Sequence, residues 1–160
     1  MKIYVACDHA GFRLKVALME QLPILGHEVE DVGAFEMNPD DDYPDFVHPL
    51  ITKVLQDEGS FGIIMAGSGQ GEAMCANRTP GIRAAVFYGP MPAHESLDRE
   101  GGHSQDGYDA VRLSRRHNNA NILSIGARFV SPSQADEAVR TFLGTEFMTD
   151  ERHIRRLGKF

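Results

Sequence analysis

Apolar positions along the chain follow two alternating rhythms. Lys2 to Ala6 and His27 to Val32 alternate apolar with polar side chains, while Phe61 to Ala66, Ile82 to Phe87 and Ile122 to Gly126 are short apolar runs; all read as strands. Between them the spacing turns helical. Leu14, Leu18, Leu22 and Leu25 recur at near-helical intervals, with Pro23 weakening the last turn and Gly26 ending it. Tyr43-Pro44 opens a second helix, with Phe46, Val47, Leu50, Ile51, Val54 and Leu55 on one side, Pro49 near its first turns and Gly59 at its end. A short helix runs to Asn77, and another spans Tyr108 to Arg116. Ser131-Pro132-Ser133-Gln134 has the form of a capping box with Pro at the first helical position, and that helix runs to Leu143 and stops at Gly144. Thr149 is expected to cap a last helical piece.

Strands alternate with helices, and no hairpin signal such as Asn-Gly joins two strand patterns. The pattern predicts an α/β protein, one domain over 1–160: a three-layer, Rossmann-like open parallel sheet of five strands with helices on both faces. In such sheets ligands bind outside the carboxyl ends of the strands, which gathers the loops holding Asp8-His9 and Gly67 to Glu72. Gly89 to Gly107 breaks the rhythm. It is rich in Gly, Pro, His and acids, has no apolar period, and reads as a long loop inserted after the fourth strand.

The richest stretch chemically is Phe61 to Glu72. An apolar strand runs into Gly67, Gly69 and Gly71 at alternate positions, and Glu72 begins a run of helix formers. Such a turn can present backbone N–H groups to an anion or a developing oxyanion. Glu72 would oppose a bound phosphate, so the turn suits a reacting oxygen, with Glu72 moving a proton. An empty βα turn with Glu72 complementing the helix dipole fits the same residues. A P-loop is excluded, because Gln70-Gly71-Glu72 stands where Lys and Ser/Thr are required; the dinucleotide fingerprint needs a different glycine spacing.

Composition narrows the classes. An apolar fraction of 42% and a charged fraction of 24% are those of an ordinary globular chain. A net charge of −7 argues against nonspecific nucleic-acid binding. There is no apolar run of transmembrane length and no leader pattern, and Cys7 and Cys75 suit neither a disulfide framework nor a metal site, so a cytoplasmic location is expected. His94-Glu95 is followed by Asp98 rather than a second His at the zincin spacing, and the Asp40 to Asp42 run reads as a solvated loop; no metal or other cofactor is expected.

Taken together, Cys7-Asp8-His9-Ala10-Gly11, Asp42-Tyr43-Pro44, Gly67-Ser68-Gly69-Gln70-Gly71-Glu72, Ala76-Asn77-Arg78 with Gly81-Ile82-Arg83, Arg116-His117-Asn118-Asn119-Ala120-Asn121 and Arg152-His153-Ile154-Arg155-Arg156 resemble ribose-5-phosphate isomerase type B, in order and over nearly the whole chain. The family also includes galactose-6-phosphate and allose-6-phosphate isomerases. Many members carry a catalytic Cys where this chain has Ala66; another branch uses a Glu of the glycine turn, which places the base at Glu72. The 89–107 stretch lengthens a connection that is usually short, and the chain stops at Phe160, where members commonly continue into a longer helix.

The resemblance implies aldose–ketose isomerisation through an enediolate, most simply ribose 5-phosphate to ribulose 5-phosphate, without a metal. Glu72 would be the base. Ser68 and the N–H groups of Gly69, Gln70 and Gly71, beside Gly67, would hold the enediolate oxygen. His117 would open the sugar ring, Asp8 would orient it or bind a hydroxyl, and Asn118 would bind a hydroxyl. Arg128, Arg152 and Arg156, aided by His9, would hold the phosphate. A homodimer with shared sites is implied, in which His117, Asn118 and Arg128 face the partner's glycine turn; a tetramer stays open. The competing readings are isomerisation of allose or galactose 6-phosphate, a sugar-phosphate-binding module without turnover, and a structural protein whose motifs are only turns. Neither nucleic acid nor membrane is an expected partner.

Overall fold

Strands β1 (Lys2–Cys7), β2 (Glu28–Gly33), β3 (Phe61–Ala66), β4 (Ala84–Phe87) and β5 (Ile122–Gly126) pair in parallel in the order β2-β1-β3-β5-β4. The structure, a computed structural model, describes residues 1–98 and 101–160, with Leu25 described by its backbone alone. Helices α1 (Phe12–Gln21), α2 (Pro44–Gln56), α3 (Gln70–Ala76), α4 (Asp109–Arg116), α5 (Pro132–Gly144) and α6 (Glu151–Leu157) fill the crossovers and the carboxyl end of the chain. No helix among the described residues is long and apolar enough to cross a membrane.

Successive side chains on a strand face opposite sides, so one sheet needs two apolar layers. Ile3, Val5 and Cys7, with Ile63, Met65, Leu123 and Ile125, pack under α1, α4 and α5. Tyr4, Ala6, Ile64 and Ile122 pack under α2 and Ala76 of α3. β3 is central, with Ile63 beside Val5 on one side and Leu123 on the other. Leu18, Leu50 and Phe142 are fully buried, and each such side chain contributes about 1.5–3 kcal/mol.

Several boundaries differ from those the pattern predicts. After α1 the chain tightens into a 3-10 turn, Leu22–Leu25, because Pro23 has no N–H for the helical ladder. The Leu25 side chain in the expected apolar stripe lies outside the described residues. Leu55 is 46% exposed: Val47, Leu50, Ile51 and Val54 complete the buried stripe of α2, and Leu55 turns past its edge. The fourth strand starts at Ala84 rather than Ile82, because the Arg83 N–H donates to Asn121 Oδ1 instead of to the ladder, at 2.8 Å. Helix α5 includes Gly144. Asp150, not Thr149, precedes α6, and its carbonyl accepts from the His153 N–H at 2.9 Å. The capping box of α5 forms as the sequence predicts: Ser131 Oγ accepts from the Gln134 N–H at 3.2 Å, and Gln134 Oε1 accepts from the Ser131 N–H at 2.9 Å.

The stretch after β4 is irregular, yet held. The Met91 N–H donates to the Gly107 carbonyl at 2.8 Å and closes the base, and Asp106 pairs with Arg112 of α4. Arg99 and Glu100 of the expected insertion lie outside the described residues. A buried charge sits elsewhere: Lys15 of α1 is 2% exposed and donates to both Asp31 oxygens, at 2.6 and 2.7 Å, and to the Ala34 carbonyl at 2.6 Å. That cluster ties α1 to β2 and to the loop leading into the site.

Candidate active site

β3 delivers the chain to the carboxyl edge of the sheet, where it turns over Gly67 to Gly69 into α3. Gly69 has φ +71°, and a methyl group there would lie 3.0 Å from Ser124 Oγ and 3.2 Å from the Gly126 nitrogen, so a side chain would be strained in conformation and tight in space. Ser124 of β5 donates to the Gly69 carbonyl at 2.8 Å and anchors the turn from below. Ser68 is exposed, and its Oγ accepts the Gln70 N–H at 3.3 Å. That donor, expected for an oxyanion, is therefore engaged inside the turn. The Arg128 guanidinium lies against Gly67, where a methyl group would meet Cζ at 3.1 Å, and the Tyr43 ring lies against Gly71 at 2.9 Å on the same measure.

Glu72 and Asp8 are both buried at this edge, 4% and 7% exposed. Burial pushes the Glu72 carboxyl above its ordinary value, and the charge of Asp8 adds to the push. Asp8 is also pushed up by burial, opposed by the N–H of Gly11, which donates to Oδ1 at 3.0 Å, and by His9. A carboxylate that binds protons more tightly than usual, in a glycine turn, is suited to taking a proton from carbon and returning it. His9 Nδ1 donates to Asp41 Oδ1 at 2.6 Å, and this bond raises the proton affinity of the imidazole. Asp8, His9 and Asp41 each place one donor atom within 4.8 Å of the others, a grouping the sequence reading did not foresee. Two of those atoms are already bonded to one another.

The remaining site candidates lie at the other end of the sheet. Helix α4 runs back from the β4 end and finishes at His117, just before Asn121 accepts the Arg83 N–H at the start of β4. The segment after α5 returns to the same end, where the Met148 N–H donates to the Arg116 carbonyl at 2.9 Å and leads into α6. The His117 ring stacks on the buried His153 ring, 4.3 Å between centroids and 12° from parallel. Burial lowers the proton affinity of His117, and His153, Arg152, Arg116 and Arg156 lower it further, which favours neutral imidazole. His117, Arg152 and Arg156 line one cavity of 240 Å³ together with Ser96, Leu97 and Asp98 of the long connection. The insertion thus begins at the β4 end but reaches the His117 end. Asn118 lines a different and larger cavity, 710 Å³, with Arg78, Arg83 and Phe160.

Within one chain, then, Asp8, His9, Ser68, the glycine turn, Glu72 and Arg128 form one group, and His117, Asn118, Arg152 and Arg156 form another. Arg128 corrects an expectation. The resemblance set it against the partner's glycine turn, but its guanidinium lies on Gly67 of its own chain, because the Arg128 N–H follows β5 straight onto the Gly67 carbonyl at 3.3 Å. Tyr43 and Asp41 were missed as site residues. Tyr43 had a sequence signal in Asp42-Tyr43-Pro44, which carried the resemblance without being given a role; Asp41, just before it, had none.

A family model described as Ribose/Galactose Isomerase matches residues 3–101 and 102–160. The ribose-5-phosphate isomerase B of Mycobacterium tuberculosis is 36% identical over 157 residues, covering 98% of this chain and 86% of that protein. The crystal structure of a ribose 5-phosphate isomerase from Thermotoga maritima superposes with a TM-score of 0.83 at 39% identity, covering 99% of this chain and 95% of that one. The ribose-5-phosphate isomerase B of Mycoplasma genitalium, solved with bound ribulose-5-phosphate, superposes with a TM-score of 0.83 at 32% identity, covering 99% and 92% of the two chains. With both halves of the motif set in place and these relatives spanning nearly its full length, the chain belongs to the Ribose/Galactose Isomerase family.

Proposed function

We propose that the protein interconverts ribose 5-phosphate and ribulose 5-phosphate through an enediolate, with Glu72 as the base and no metal ion. The observation that carries this reading is the Glu72 carboxyl, buried in the glycine turn with its proton affinity raised by burial and by Asp8. In the open-chain aldose, Glu72 takes the proton from C2. The C2–H electrons form the C1=C2 bond, and the carbonyl electrons move onto O1. The enediol proton passes between the two oxygens, and Glu72 returns its proton to C1. No oxidant or reductant is consumed. The Gly69 and Gly71 N–H groups, with the Ser68 hydroxyl, are assigned to the developing oxyanion. Neutral His117 is assigned to ring opening, Asn118 to a sugar hydroxyl, and Arg128, Arg152, Arg156 and His9 to the phosphate.

The reading includes a homodimer with two shared sites. Support comes from topology: the carboxylates and glycine turn sit at the carboxyl ends of the strands, while His117 and α6 sit at the amino ends. A rigid sheet separates them, and a second chain supplies the missing half. Cys7 and Cys75 are both free thiols, which agrees with a reducing, cytoplasmic setting.

The test is a substrate panel. Protein dialysed exhaustively against EDTA is incubated with ribose 5-phosphate, allose 6-phosphate and galactose 6-phosphate, and ketose formation is followed. Turnover highest on ribose 5-phosphate is expected. Preference for a six-carbon substrate would move the assignment within the family. Loss of turnover restored by one added divalent metal would overturn the metal-free part and direct attention to Asp8, His9 and Asp41.

A further inference from the structure

Asp41 was read in the sequence as part of a solvated acidic run. In the structure it is not solvated: its side chain is 7% exposed. A short turn aims it inward, with the Asp41 N–H donating to the Asn38 carbonyl at 3.2 Å and the Asp40 N–H donating to Asn38 Oδ1 at 3.1 Å. Oδ1 accepts from His9 Nδ1 at 2.6 Å, and Oδ2 is buried with no hydrogen-bond partner among the described residues. A buried carboxylate with a single donor is poorly stabilised unless that donor carries positive charge. His9 is that donor, and its side chain is 33% exposed, so the ring reaches from the buried acid to the open site.

We propose that Asp41 is a positioning residue for substrate binding: by holding Nδ1 it keeps the His9 imidazole charged and turned so that the Nε2–H meets the phosphate of the sugar phosphate. This rests on the isomerase reading above for the identity of the ligand. An imidazole has two nitrogens, and fixing one by a carboxylate fixes where the other points. A charged N–H forms a stronger bond to a phosphate oxygen than a neutral one. The charges acting on His9 come from several elements. Asp41, on the loop before α2, and Asp8, on its own loop, both favour the imidazolium; Arg128, after β5, opposes it. Of these the bond to Asp41 is the largest influence, so the charged form should persist above the ordinary imidazole value of 6.5.

The experiment compares the full-length protein with Asp41→Asn, which keeps the shape and an acceptor oxygen but removes the charge. First, the His9 ring signal, assigned by its loss in His9→Gln, is titrated by NMR with and without inorganic phosphate. It should titrate above 6.5 in the parent and lower in Asp41→Asn. Second, KM and kcat for ribose 5-phosphate are measured from pH 5.5 to 8, and the ratio of variant to parent cancels the titration of the phosphate itself. KM should be matched at pH values below both measured His9 titrations, where both imidazoles are charged, and raised about tenfold in the variant between the two titrations, with kcat within about twofold. A KM ratio that does not change with pH, or an unshifted His9 titration in the variant, would overturn the proposal. So would a loss carried by kcat alone. If the parent turns over no aldose phosphate, the isomerase reading fails; weakening of the inorganic-phosphate response of His9 between the two measured titrations but not below both then still supports the role of Asp41, and an unchanged response overturns it.

Discussion

Glu72 sits where folding and catalysis make opposite demands. Its proton affinity is raised in the folded state, so between its unfolded and folded values the native protein holds more protons than the unfolded chain. Stability from this group therefore falls as pH rises through that window, and above it the ionised carboxylate is a burden the fold carries. Glu72→Gln keeps the shape and removes the charge. It should melt at a higher temperature than the parent at pH 7 to 8, with the difference shrinking toward pH 4, as followed by circular dichroism. The same variant should lose roughly a hundredfold to ten-thousandfold in kcat, the usual contribution of general base catalysis. A variant that is both less stable at neutral pH and nearly fully active would exclude Glu72 from the buried, proton-moving role. Glu72 was legible in the sequence from its place after three alternate glycines. Asp41 was not, because an acidic run says nothing about which carboxylate the loop turns inward.

At the scale of elements, the site depends on close approach between β1, β3 and the start of α1. Gly11 lies against the backbone of β3, and a methyl group there would come within 2.1 Å of the Met65 carbonyl oxygen. Backbone in the centre of a sheet cannot yield as a flexible side chain does. Gly11→Ala should therefore destabilise by about 3 kcal/mol or more, the upper range of overpacking, read as a lowered denaturation midpoint in urea. An unchanged midpoint would mean that α1 can withdraw from the sheet without loss. The Gly11 N–H also holds Asp8 Oδ1, so any variant that does fold should bind substrate poorly. Periodicity located every strand and helix to within a few residues. It misplaced Leu55 and the start of β4, because those ends are set by a helix edge and by the Asn121 side chain, neither of which is local in sequence.

For the whole molecule, the separation of the two residue groups makes a prediction about mixed chains. If each site uses Glu72 of one chain and His117 of its partner, Glu72→Gln and His117→Asn each abolish activity alone. Unfolded and refolded together, they should regain roughly a quarter of parental activity, since half of the randomly formed symmetric dimers then hold one intact site of two. Arg128 sharpens the test, because it lies on the same chain's glycine turn as Glu72. Glu72→Gln mixed with Arg128→Ala should regain nothing, as no arrangement of those chains restores an intact turn. Recovery in the second mixture would place Arg128 across the interface after all. No recovery in the first would remove the shared site.

The sequence alone determined the local elements. The alternation of periods determined a parallel α/β sheet, because strand and helix rhythms are short-range consequences of side-chain direction. Glycines followed by an acid marked the turn at the end of β3, since only certain residues fit a positive φ or a close contact. Tertiary structure decided what lies beside what. It set Arg128 on its own glycine turn, carried residues 96–98 of the long connection to the His117 end, stacked His117 on His153, and turned Asp41 inward onto His9. Those outcomes depend on contacts between residues far apart in the chain, which packing of the whole sheet selects and no local pattern encodes.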